Sequence, residues 1–243
     1  MSRRRSGRLA LLALLLGAAM TVLAADRTLA PAAYEASYRV HYGPVSVGTI
    51  DYELAPAGED RWLFRGEAHP SAWAGWLPVD SLNERSHFRY RDGRLLPERY
   101  ETRGQTDEGP MARALVFDAS GRRVAVHRDG QLRKTLEVPA GTYDPALLQL
   151  VLRHEVARGE RTISYRFVDG GKLKTYRFEV QGEEPLDTPA GLFDTVRLAR
   201  VDDPDKRSVL WLAPALDYLP VQFEQREAGR PTVRLALREL DRG

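Results

Sequence analysis

From residue 34 to about residue 240 the chain alternates apolar and polar positions with a period of two, and the pattern breaks clearly only once. Tyr34, Ala36, Tyr38, Val40 and Tyr42 share one phase, while Glu35, Ser37, Arg39 and His41 share the other. Successive side chains of a strand point to opposite faces, so this stretch predicts a strand with one wet face. Gly43-Pro44 turns the chain. The return strand opens on Val45 and Val47, after which Gly48 shifts the phase so that Ile50, Tyr52 and Leu54 carry the apolar face. A glycine at a phase slip predicts a bulge. Further strands are predicted at 62–67, 86–90, 99–102, 114–117, 124–127, 162–168, 174–180, 196–201, 207–212, 221–225 and 232–238. Asp92-Gly93, Asp129-Gly130 and Gly170-Gly171 are two-residue hairpin signals, and 188–191 and 202–205 read as turns.

The break lies at Asp144-Pro145, followed by Ala146-Leu-Leu-Gln-Leu-Val-Leu-Arg-His-Glu-Val156. Asp144 is a good N-cap, Pro145 suits a first helical position, and Gly159 stands just past the end near Ala157. Leu147, Leu148, Leu150, Val151, Leu152 and Val156 cover more than one stripe, so the helix is either buried against the sheet or caps a cavity. The fold expected is mainly β: a single large curved antiparallel sheet, a barrel or half-barrel, with one long helix packed on or capping the concave side.

The N-terminus changes the picture of charge and compartment. Arg3, Arg4, Arg5 and Arg8 precede an apolar run from Leu9 to Leu16, and Val22-Leu23-Ala24 meets the small-x-small rule of a cleavage site. Residues 1–24 therefore read as a cleaved secretory signal and 25–243 as one mainly-β domain in the periplasm, with no stable membrane span after cleavage. The whole chain has 36 Lys and Arg against 34 Asp and Glu; without its first 24 residues the bases fall to 32 and the net charge to about −2. That removes the main support for nucleic-acid binding. The absence of cysteine excludes disulfides, a thiol nucleophile and lipidation of a signal-proximal cysteine.

Candidate chemistry is sparse. His41, His69, His87, His127 and His154 show no metal-ligand spacing, so no metal or cofactor is expected. Ser86-His87 cannot form a nucleophile–base pair along one strand, because adjacent residues face opposite ways, and no GxSxG elbow occurs. The carboxylates are scattered, and the glycine pairs are turn glycines rather than a phosphate cradle. No catalytic residues are assigned and a non-enzymatic protein is expected. Two stretches are unusual. Trp73 and Trp76 lie three apart between Pro70 and Pro78, as a lip at a cavity mouth or as a loop pinned to the core. Trp211 to Pro220 reads as a proline-stiffened corner that carries large apolar groups toward the concave side.

Several of these segments together resemble the exported bacterial proteins grouped as domain-of-unknown-function family 3108. They are the Tyr34–Gly48 strand pair, Ser86-His-Phe88 with Leu96-Pro97-Glu-Arg-Tyr100, Asp144-Pro145 before the helix, Thr188-Pro-Ala-Gly191-Leu-Phe193, and Trp211-Leu-Ala-Pro214 with Tyr218-Leu-Pro220-Val. The resemblance spans about residues 32 to 240 and implies no catalytic residue. The family's shape is similar to periplasmic lipoprotein-localisation carriers, whose curved sheet and helical lid hold acyl chains, a likeness of fold rather than of function. The function expected is non-catalytic binding of an apolar or amphipathic ligand: a lipid, a lipoprotein acyl chain or a glycolipid. Candidate lining residues are Tyr38, Trp62, Phe64, Trp73, Trp76, Leu148, Leu152, Trp211 and Phe223. The alternative is an interaction module of the cell envelope with a protein partner and no small ligand. An envelope-polymer hydrolase is the third reading.

Overall fold

The computed structural model describes residues 30–72, 83–106 and 109–242. Residues 1–29, including the whole signal segment, and Trp73 and Trp76 lie outside them.

The first meander runs β1 (Tyr34–Tyr42), β2 (Val45–Pro56), β3 (Arg61–Pro70), β4 (Asn83–Arg91), β5 (Arg94–Thr106), β6 (Gly109–Phe117), β7 (Arg123–Arg128) and β8 (Gln131–Glu137). The second runs β9 (Thr162–Asp169), β10 (Lys172–Thr188), β11 (Gly191–Arg200), β12 (Lys206–Ala213), β13 (Leu219–Glu227) and β14 (Val233–Asp241). All ladders are antiparallel, and β14 pairs with β1, which joins the meanders into one 14-stranded sheet. The strands at its two ends, β8 and β9, do not pair with each other. The sheet is therefore an opened barrel rather than a closed one.

Local chemistry explains the path. Asp92-Gly93, Asp129-Gly130 and Gly170-Gly171 all have positive φ at both positions, as two-residue hairpins of the primed type require. The expected bulge falls at Val47-Gly48, where Val40 pairs with Gly48 and His41 with Ser46. Gly48 is held at φ +152, and a Cβ there would lie 2.4 Å from the His69 carbonyl oxygen, so the crossing of β3 demands glycine.

The segment linking the meanders enters the curl. Tyr143 makes a parallel bridge to Phe167, its N–H donating to the Arg166 carbonyl at 2.8 Å. A 3-10 turn, Pro145–Leu147, then leads into α1 (Leu148–Ala157), which ends before Gly159 at φ +89. The helix is shorter than its apolar run suggests, because its first turn is taken by the tighter 3-10 geometry. Leu150, Val151, Leu152, Arg153, His154 and Val156 are all buried, so α1 is a wall of the core, against β9 and β13, and not a surface cap.

Burial differs between the two arms. On β1 and β4 buried and exposed residues alternate, as in a one-sided sheet. On β12 every residue from Ser208 to Ala213 is buried, so alternation is lost. The end of the β10–β11 hairpin supplies the second cover: the Ala190 N–H donates to the Leu237 carbonyl, and Glu184 accepts from Trp211.

Candidate functional site

The two unpaired sheet ends approach one another without a ladder. The β9–β10 turn sits on β8 and β7 so closely that a Cβ on Gly171 would lie 2.7 Å from Lys134 Cε and 3.6 Å from Val126 Cγ1. A cleft of about 220 Å³ opens along this seam, between β5–β8 on one side and β9, the β9–β10 turn and Pro145 on the other.

Register sets its character. On the inward face Phe117 pairs with Val124 and Val124 with Leu136, an apolar row. The next row is Tyr100, Leu115, Val126 and Lys134, and the row nearest the mouth is Thr102, Arg113 and Arg128. The second and third rows line the cleft, with Ala114, Pro145 and Val168, whereas Phe117 lines a separate hollow beside α1; along the cleft's own strands the apolar phase gives way to a cationic rim. Arg133 is the extra residue of a register shift between β7 and β8 and also lines the cleft. Asp169, at the opposite lip, is engaged by Lys174 at 2.5 Å.

Behind the floor lies a buried polar cluster built from both meanders. Asp144 is fully buried and caps the 3-10 turn, its Oδ1 accepting from the Ala146 and Leu147 N–H groups at 3.0 and 3.3 Å. Its Oδ2 accepts from Ser86 Oγ at 2.7 Å, and its carbonyl accepts from the Tyr165 hydroxyl. Glu84, on the inward phase of β4, accepts from the Tyr100 hydroxyl at 3.2 Å. Burial raises the Asp144 carboxyl to about 7, even though Ser86 and the capping N–H groups stabilise its anion. Burial, reinforced by Asp144, raises Glu84 to about 7 as well. Tyr100 lines the cleft, so the cluster touches the cleft directly. Among the described residues no group of His, Asp and Glu is arranged to hold a metal, and no helix is long and apolar enough to cross a membrane.

Two larger hollows differ in kind. One of about 670 Å³ lies beside the end of α1, between Leu95, Phe117, Tyr143 and Val151, with Arg94, Glu98, Glu155 and Arg158 of both signs around it. The other, about 940 Å³, lies on the outer face of β1–β4 and β14 among Glu35, Asp51, Glu53, Arg65, Glu67 and Glu239, and offers an apolar chain little.

The model of the family described as "Protein of unknown function (DUF3108)" matches residues 37–234. The chain belongs to that family. No curated protein matches. Among solved structures, a β-barrel-like protein of domain of unknown function DUF1849 from Brucella abortus superposes with a TM-score of 0.58 at 14% identity, covering 87% of this chain and 98% of that one. An exported protein with a YmcC-like fold from Bacteroides fragilis (TM-score 0.39, 10% identity) covers 87% of this chain and 97% of its own. A lipoprotein from Parabacteroides distasonis (0.35, 10%) covers 87% and 96%. The Brucella likeness is one of fold, and it agrees with the barrel-like curl of this DUF3108 chain.

The family's order of motifs does not mark the cleft, and the residues singled out in the sequence are distributed otherwise. Tyr38, Phe64 and Leu152 are closed into the core, and Trp62, Leu148 and Phe223 pack against it half-buried. The expectation that Trp211 faces the concave side is corrected by register: Leu210 pairs with Phe223, whereas Trp211 pairs with Gln222 on the opposite face. There Trp211 Nε1 donates to Glu184 at 2.6 Å and Arg197 lies 5.8 Å from its ring centroid. Arg113, Arg128, Lys134, Tyr100 and Glu84 were not recognised from the sequence, although Arg113 and Arg128 continue the apolar phases of Leu115–Phe117 and Val124–Val126. A charge in an apolar phase was the available signal.

Proposed function

We propose that this DUF3108 protein is a periplasmic, non-catalytic carrier of an amphipathic ligand whose apolar segment enters the seam cleft. The observation that supports it best is the gradient within the cleft's lining, from Leu115, Val126 and Val168 to Arg113 and Arg128. An apolar floor with a few convergent polar groups is what a small-molecule site needs. The cleft is smaller than the roughly 300–1,000 Å³ usual for a whole ligand, so seating a long chain requires the seam to part. Parting costs no ladder hydrogen bonds, because β8 and β9 share none. The N-terminal signal-like segment supports export, and the absence of cysteine supports a protein that is not anchored through a lipidated cysteine.

The test is native mass spectrometry of the mature protein purified from a periplasm, with organic extraction of bound material. A discrete lipid-sized adduct supports the carrier; bare protein that also fails to take up added lipids contradicts it. A second reading, an envelope interaction module without a small ligand, is favoured by the filled interior around Tyr38, Phe64 and Leu152. It predicts one stoichiometric envelope partner in place of an adduct.

A further inference from the structure

We propose that the rim of the seam cleft is a specific site for an oxyanion, with Arg113 and Lys134 holding the phosphate or carboxylate end of the amphiphile. This rests on the carrier reading and narrows it to anionic amphiphiles.

Arg113 sits two residues before Leu115 on the inward phase of β6, and Lys134 pairs with Val126 on the inward phase of β7–β8. Their charges therefore point where only apolar groups precede them along the strands. Neither makes an ion pair among the described residues. The acids nearby are engaged elsewhere: Asp169 holds Lys174 at 2.5 Å, and Asp129 accepts from the Ala112 N–H at 3.1 Å while lying 3.6 Å from Arg128. Arg128 stands directly across from Arg113, so like charges face each other over one rung. Asp129 offsets part of the Arg128 charge, and a bound anion answers the Arg113 side of the pair.

The fold also fixes where the lysine lies. Gly171, at φ +69, lets the β9–β10 turn rest against Lys134 Cε, at a separation no side chain would allow. The lysine, though exposed, has its Cε end fixed beside the lip at Gly171. A guanidinium gives bidentate contact to a planar or tetrahedral oxyanion, and the ammonium adds a point charge beside it. Apolar groups behind the cations set the direction of the rest of the molecule: head at the rim, chain toward Leu115, Val126 and Val168. Neutral glycolipids and uncharged apolar ligands leave these charges unanswered.

The experiment compares dodecyl phosphate, dodecyl maltoside and inorganic phosphate by titration calorimetry against the mature protein and the Arg113→Gln/Lys134→Gln variant. Dodecyl phosphate is expected to bind about tenfold or more tighter than dodecyl maltoside, as one or two charge-assisted hydrogen bonds imply. The variant is expected to lose that preference while keeping its maltoside affinity and its thermal midpoint, since no ion pair is broken. The preference is also expected to shrink at high salt. Equal binding of both detergents, indifferent to the substitutions, overturns the oxyanion site and leaves the carrier standing. Failure of every dodecyl compound to bind sinks the carrier and the oxyanion site together. Inorganic phosphate binding as tightly as dodecyl phosphate overturns the amphiphile and assigns the cations to a free anion.

Discussion

The two arms of this sheet use the same antiparallel grammar to different ends. Along β1–β8 buried and exposed positions largely alternate, and the arm thins toward β8, where six of seven residues are exposed. Along Ser208–Ala213 of β12 and Leu219–Gln222 of β13 both faces are dry, because the sheet's own β10–β11 hairpin folds over them. An arm buried on both faces is a fixed body; an arm that ends in a polar, half-supported edge can move against it. The candidate site lies where the thin arm meets the thick one.

The largest expected effect breaks the comparison most directly. Trp211 is on the outer face of β12 yet only 7% exposed, so Trp211→Ala is expected to cost about 3–5 kcal/mol in urea unfolding. Arg65, on the outer face of β3 with an exposed ion pair to Glu53, is the matched position of the thin arm; Arg65→Ala is expected to cost less than about 1 kcal/mol. Equal costs would mean that the two outer faces do not differ as described.

The thin arm's inner face carries the next effect. Glu84 is harder to ionise folded than unfolded, raised from the ordinary carboxylate range to about 7. Its contribution to stability is therefore intact below about pH 4 and is lost as pH rises to about 7, a fall on the order of 3 kcal/mol. Glu84→Gln keeps the Tyr100 hydrogen bond and is expected to remove roughly half of the decline measured between about pH 5 and about pH 8, the rest belonging to Asp144, which is raised to about 7 as well. An unchanged decline would place the pH dependence elsewhere.

The smallest effect concerns the line where the arms touch. Gly130 and Gly171 both have positive φ, but only Gly171 is close to a neighbour. Gly130→Ala is expected to cost about 1 kcal/mol for its left-handed backbone, and Gly171→Ala more, about 2 kcal/mol, because Lys134 must also shift. Equal losses in thermal unfolding would remove the contact that defines the seam.

Much of the fold was legible because strand periodicity and Gly-containing hairpins are local signals; the type of sheet, the helix and the Gly48 bulge all follow from them. β8 escaped notice because Gln131–Glu137 is mostly polar and is a strand through its pairing with β7. The second half of β10, with Gly182 and Pro185, lies beyond the strand predicted to end at Val180 and is held by β11. The site was less legible, since it is made by long-range closure. Asp144 was recognisable as a cap, but its bond to Ser86, 58 residues away, was not. Trp211 misled because an unbroken apolar run has no phase, and only register assigns its face.

The most direct test of the central claim is photocrosslinking with a diazirine-bearing fatty acid, followed by peptide mapping. Saturable labelling, competed by unmodified fatty acid, is expected on β6–β8 and on the β9–β10 turn around Gly170-Gly171. Labelling confined to the hollow beside Leu95, Tyr143 and Val151, or no saturable labelling at all, would contradict it.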